Sequence, residues 1–295
     1  MDSMGASFVS VTDTFDSSIT RSIPRSLAPI LTELELEAPQ VVTLAELRAM
    51  TANYGIGTEP RVVADRLRKL GWLLPTATTG VWEFAPAAHA GPIGHGDQFL
   101  ELRAAIAKRP SLDAAVSLTS ALFAHGLTDR APDLLEVAVN KSTAIPIGLR
   151  RSSRVVIFDA NLPSDRSRGV PIHQPATVLV HAATRPADVR GWGMIADALP
   201  HLVDEVTRHD IDRELEGRPH SVSVRLAYLV QGVAPEIADH LVPHEKRGHA
   251  ASKVWFGPHN SLKRHSAQFS VADTLLPFNP ADLLRSKCAL PTTSS

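Results

Sequence analysis

After a polar opening, apolar residues settle into helical spacing. Across residues 23–36, Leu27, Ile30, Leu31 and Leu34 share one face, and Pro24 suits the first turn of a helix. The pair Val41 and Val42 then leads to Thr43 and Glu46, spaced so that hydroxyl and carboxylate satisfy each other's exposed backbone donors at a helix start. The spacing predicts a second helix ending near Gly55, with Leu44, Leu47 and Met50 as its buried stripe. A turn through Gly55–Glu59 follows, with Thr58 as the expected N-cap and Pro60 as a first-turn residue. A third helix then runs to Gly71, its C-terminal cap. The next two runs, Trp72–Leu74 and Val81–Phe84, flank the turn-forming Thr76–Gly80 and read as a β-hairpin. Helix, short strand, helix, tight turn, helix and hairpin within roughly 65 residues are the pattern of a winged helix-turn-helix.

Residues 1–22, rich in Ser, Thr and Asp and without periodicity, are expected to be a flexible arm, which places the winged-helix domain at 23–86. Residues 87–97, rich in Gly, Ala and Pro, read as a linker, and 98–295 as a larger second domain. Its pattern predicts helices over 99–108, 113–126, 176–184, 188–203 and 223–232. Strands are expected over 134–140, 154–160, 169–175, 253–257 and 266–270. Clustered strands flanked by helices make the fold class α+β, with the winged helix-turn-helix in front.

Composition narrows the chemistry. With 44% hydrophobic and 21% charged residues, the chain is an ordinary globular one. Its single cysteine, Cys288, can form neither an internal disulfide nor a multi-thiolate metal site, which fits a reducing cytoplasm. The N-terminus lacks the basic and apolar regions of a signal peptide, and no apolar run approaches the roughly 20 residues needed to span a bilayer. The formal net charge of −1 excludes a uniformly basic coat, so any nucleic-acid surface must be local.

Such a surface is present on the third helix. Val63, Leu67 and Leu70 face the core, while Arg61, Asp65 and Arg68 lie opposite, flanked by Arg66 and Lys69. In a winged helix this side enters the major groove, where arginine can contact guanine in a bidentate way and lysine can engage phosphates. Thr58 in the turn and Thr76, Thr78 and Thr79 in the wing are candidate backbone contacts. Residues 1–85 nevertheless hold seven Lys and Arg against ten Asp and Glu, a net of −3, so nonspecific phosphate affinity should be modest. Paired copies on repeated sites are the expected remedy.

Elsewhere the bland readings win. The glycines of 91–97 lack the lysine of a phosphate-binding loop, and Ser120 with His125 lacks the nucleophile elbow of a hydrolase. Asp133 and Glu136 beside a β-run lack the lysine two residues on that a metal-dependent nuclease uses. His240, His244, His249, His259 and His265 are irregularly spaced and have no cysteine partners, which argues against a zinc site. Neither a cofactor nor a catalytic residue is expected. Residues 244–265 carry five Lys and Arg against Glu245, a second basic patch read chiefly as solvated surface, with nucleic acid or an acidic partner as the alternative.

With these residues in view, the chain resembles the AbiEi family of antitoxins. The carrying segments are VVTLAELRAM, ADRLRKLGWLLPTATTGVWEFAP, HAGPIGHGD, LRAAIAKRPSLDAAVSLTSALFAHGL and QPATVLVHAATRPADVRGWG, spread from about Ser26 to about Val233. The resemblance implies an N-terminal winged helix that binds repeats in its own promoter and represses it. It further implies a C-terminal domain that neutralises a partner toxin of nucleotidyltransferase fold, directly or indirectly. The DNA-binding role then falls on Thr58, Arg61, Arg66, Arg68, Lys69, Thr76, Thr78 and Thr79. Two other classes stay open: a ligand-responsive repressor without a toxin, and a nucleic-acid-processing enzyme whose winged helix only positions substrate.

Overall fold

A computed structural model describes residues 23–87, 96–247, 253–259 and 261–284. The expected arm at 1–22, all but the ends of the expected linker at 87–97, and Cys288 lie outside them. The chain forms two compact units. The first runs to residue 97 apart from 77–79, and the second comprises 77–79 with residues from 98 onward.

The first unit begins with α1, Ala28–Glu37, and its start differs from the expected one. Pro24 stands in a preceding turn, its carbonyl accepting from the Leu27 N–H at 2.8 Å, and it is Pro29 that occupies the first helical turn. Strand β1, Val41–Thr43, runs into α2, Leu44–Asn53, through a complete capping box. The Thr43 hydroxyl accepts from the Glu46 N–H at 3.1 Å, and the Glu46 carboxylate accepts from the Thr43 N–H at 2.6 Å. Gly55, at φ 61°, supplies the left-handed turn that ends α2. Helix α3 spans Pro60–Lys69. Beyond it Gly71 takes φ 77° while its N–H bonds the Arg68 carbonyl and the Trp72 N–H bonds the Leu67 carbonyl, a paired closure of the helix end.

Strands β2, Leu73–Pro75, and β3, Val81–Phe84, form the hairpin, and β3 also pairs antiparallel with β1, so the sheet order is β1-β3-β2. One core joins Ile30, Leu31 and Leu34 of α1, Leu47 and Met50 of α2, Val63 and Leu67 of α3, and Trp72, Leu73 and Phe84. Helix α3 is thereby fixed by one face while the other is left at the surface.

The second unit carries two further three-stranded sheets with helices packed against them. Helix α4, Leu100–Lys108, is followed by β4, Ala114–Val116, and α5, Leu118–Ala124. A single helix over 113–126 was expected, and the chain breaks it at Ser117 and Leu118. Ser117 is extended (φ −139°), Leu118 takes φ 49°, and the Val116 N–H bonds the Pro171 carbonyl. The small apolar run of β4 carries no period of its own, so tertiary pairing decided it. Strand β5, Leu135–Val139, is central, antiparallel to β4 and parallel to β6, Ser153–Ile157, with α6, Ile147–Ser152, in the crossover.

The strand expected over 169–175 is reduced to single bridges of Ile172 with Val116 and Asp165. Helices α7, Pro175–Thr184, α8, Trp192–Asp204, α9, Arg208–Leu215, α10, His220–Val230, and α11, Pro235–Leu241, follow. The last sheet comprises β7, Val254–Phe256, β8, Arg264–Ser266, and β9, Val271–Asp273, in the order β7-β9-β8. The strand expected over 266–270 is mostly the turn between β8 and β9. The fold class is α+β, a winged helix-turn-helix followed by a larger mixed unit. Among the described residues no helix is long and apolar enough to cross a membrane.

Candidate nucleic-acid interface

Helix α3 presents Arg61, Arg66, Arg68 and Lys69 at the surface, and no acidic residue occupies its first turn. Among the described residues the Arg61 and Arg66 guanidiniums have no hydrogen-bond or ion-pair partner. Arg68 and Lys69 differ, because both reach back to Asp65, at 3.3 Å and 2.8 Å. Hydrogen bonds from Lys69 and then Arg68 hold the Asp65 carboxyl below its ordinary value. All three side chains are well exposed, so this clasp is a weak, solvent-screened one that a competing anion can open.

The threonines separate. Thr58 is half-buried and does not cap α3; the N-cap is Glu59, which makes no side-chain cap bond, so Pro60, with no N–H to satisfy, sets the helix start instead. The Thr76 hydroxyl donates to the Val81 carbonyl at 2.8 Å and closes the hairpin turn. Thr78 is 7% exposed and Thr79 is at the surface. Within this set the structure therefore brings Arg61, Arg66, Arg68 and Lys69 onto one short helix, leaves Thr79 accessible, and withdraws Thr78.

In the second unit Glu136, Ser120, His125, His240, His244 and His259 are engaged internally, Asp133 and His265 are exposed, and His249 lies outside the described residues. The Glu136 carboxylate accepts from the Thr119 N–H at 2.8 Å, the Thr119 hydroxyl at 2.6 Å and Arg154 at 2.6 Å. The Glu136 N–H donates to Ser120 Oγ, while His125 Nε2 bonds the His173 carbonyl, so Ser120 and His125 serve different neighbours. His240 pairs with Asp212 at 2.8 Å, His244 with Asp239 at 3.2 Å, and the His259 ring lies tilted against Trp255. Among the described residues no group of three or more His, Cys, Asp or Glu could hold a metal ion.

Among the described residues of the basic segment 244–265, four cations have partners of their own. Arg247 pairs with Asp239 and lies over Phe269, Lys253 lies over Trp255, Lys263 donates to the Leu275 carbonyl, and Arg264 pairs with the buried Asp273.

One constellation had no local signal. Ser117 Oγ lies 3.1 Å from His173 Nδ1 and 3.0 Å from His181 Nδ1, and His181 Nε2 stands 3.7 Å from Asp188 Oδ2. The order is that of a nucleophile, base and acid, but Ser117 and His181 are 0% exposed and His173 is 3% exposed. Burial pushes His173 down to about 3 and lowers His181 too, so both imidazoles are neutral members of a packed core. Ser117 has one proton to give, so it donates to one imidazole and accepts from the other. His181, the one titratable side chain on the largely buried α7, was the hint in the sequence.

Residues 114–232 match the family described as the AbiEi antitoxin C-terminal domain. Among solved structures, the chain is similar to the crystal structure of the RV2827C protein from Mycobacterium tuberculosis, with a TM-score of 0.73 and 26% identity over 88% of this chain and 95% of that one. No curated protein matches.

Proposed function

Because residues 114–232 match the AbiEi antitoxin C-terminal domain, we propose that the chain is the DNA-binding antitoxin of a cytoplasmic toxin–antitoxin operon. It represses its own promoter through α3 and the wing and neutralises a nucleotidyltransferase-type toxin through the second unit. The observation that carries the DNA-binding part is the exposed cationic face of α3, fixed by a buried opposite face and placed directly before a hairpin. Arg61 and Arg66, their guanidiniums without partners among the described residues, are the base-reading candidates. Arg68, Lys69 and Thr79 are the phosphate-contacting ones. Thr58 remains a turn contact and Thr76 a wing-shaping residue; Thr78, being buried, is not used.

The test is a gel shift of the full chain on the DNA upstream of its own gene, paired with growth rescue from the toxin encoded beside it. Arg61→Ala with Arg68→Ala should abolish the shift and promoter repression yet still rescue growth. Unchanged DNA binding would overturn the assignment of α3. Failure of the unaltered chain to protect against the neighbouring toxin would overturn the antitoxin role.

A further inference from the structure

A cavity of about 440 Å³ opens in the second unit between β5, β6 and the start of α8. Arg130, Arg154 and Arg190 line it together. Among the described residues neither the Arg130 nor the Arg190 guanidinium has a hydrogen-bond or ion-pair partner. The two carboxylates at its edge do not cancel this charge. Glu136 is consumed by Thr119 and Arg154, which leaves Asp133 alone against two unpartnered guanidiniums.

The cavity also receives Gly191, Gly193 and Met194, the N-cap and first turn of the 13-residue α8, which has no acidic residue there. The first N–H groups of a helix have no intrahelical acceptor and favour an anion. Pro132, Leu134 and Met194 add an apolar wall to the same cavity, and Leu134 is 55% exposed. An unmet cationic end and an exposed apolar wall in one cavity of small-molecule size describe two halves of one ligand.

We propose that this cavity binds a phosphorylated small molecule of mononucleotide size. Its phosphate is held between Arg130, Arg190 and the α8 N-terminus, and its apolar body lies on Leu134 and Met194. Forked guanidiniums and backbone N–H groups are the donors that phosphate oxygens take, and the volume exceeds what inorganic phosphate alone would fill. The site does not depend on the DNA-binding reading of α3.

The test is calorimetric titration of the full chain with AMP, ATP, GTP and inorganic phosphate. At least one nucleotide should bind saturably and more tightly than inorganic phosphate. Arg130→Ala with Arg190→Ala should weaken it by about 100-fold, since each charge-assisted contact contributes roughly a factor of ten. Gly193→Asp keeps the result interpretable. A Cβ at Gly193 meets nothing within 4 Å, and an acid in the first turn stabilises a helix, so that variant should melt no lower than the parent while losing the ligand. Saturable binding by no nucleotide, equal binding of inorganic phosphate, or affinity unchanged in both variants would each overturn the proposal.

Discussion

Acid should unlock the second unit before the first, and the buried imidazole pair sets the size of the effect. In the folded chain burial pushes His173 from 6.5 down to about 3, whereas an unfolded chain restores the ordinary value. Between those values the unfolded state binds a proton that the folded state refuses, so stability is fully present above pH 6.5 and falls as pH drops toward 3. For this one group the loss is about 1 kcal/mol at about pH 5.5 and about 3 kcal/mol at about pH 4.5.

His181 is shifted the same way by burial, so it acts in the same direction. Against a typical domain stability of about 5–15 kcal/mol, the His173 loss is a large fraction. Hydrogen exchange read by mass spectrometry, corrected for the intrinsic pH dependence of exchange, should show protection in α7 and α10 falling from about pH 7.5 to about pH 5.5 by roughly a factor of ten or more. Helices α1 to α3 are an internal reference, because residues 23–87 contain no histidine. In His173→Gln the fall should shrink by about the His173 share, whatever the variant's absolute stability. Protection in α7 that is flat across this range, or an undiminished fall in His173→Gln, would refute the reasoning.

A second expectation concerns Glu214 on α9, 0% exposed, whose carboxylate accepts from the Asn161 and Leu162 N–H groups, the Thr177 hydroxyl and Arg218. Glu214→Ala leaves the 161–162 donors without their acceptor and Arg218 with only the Glu214 and Asp159 carbonyls in place of its counter-ion, and should destabilise the second unit by about 3–5 kcal/mol in urea denaturation. A third concerns Asp65. Asp65→Asn frees Arg68 and Lys69 from their clasp and removes one negative charge from the face read as DNA-facing. Filter-binding affinity for operator and random DNA alike should rise, and the salt dependence should steepen by about one unit. Equal affinities at low and high salt for parent and variant would remove α3 from the interface.

What could be read from the residues depended on whether the deciding interaction was local. The capping box at Thr43 and Glu46, Pro60 at the start of α3 and Gly71 at its end act within one helical turn, and those features stand where their spacing puts them. The expected cap at Thr58 failed because Pro60 makes a side-chain cap less necessary. Residues 113–126 read as one helix because Ala114, Ala115 and Val116 are equally at home in either state. Their strand form follows from pairing with β5, some 20 residues on, and with Pro171. Strand β9 escaped notice for the same reason: Val271–Asp273 is three residues long and exists by pairing on both sides.

Charge misleads in the same manner. Counted along the chain, residues 244–265 look more basic than α3, yet ion pairs with Asp239 and Asp273 remove Arg247 and Arg264 from the surface field. Helix α3 has fewer cations, but among the described residues only Asp65 answers them, with an exposed and screened clasp. A cation serves recognition to the extent that its own fold leaves it unanswered. By that measure Arg61 and Arg66 on α3, and Arg130 and Arg190 at the cavity beside α8, outrank the patch that the sequence displays most openly.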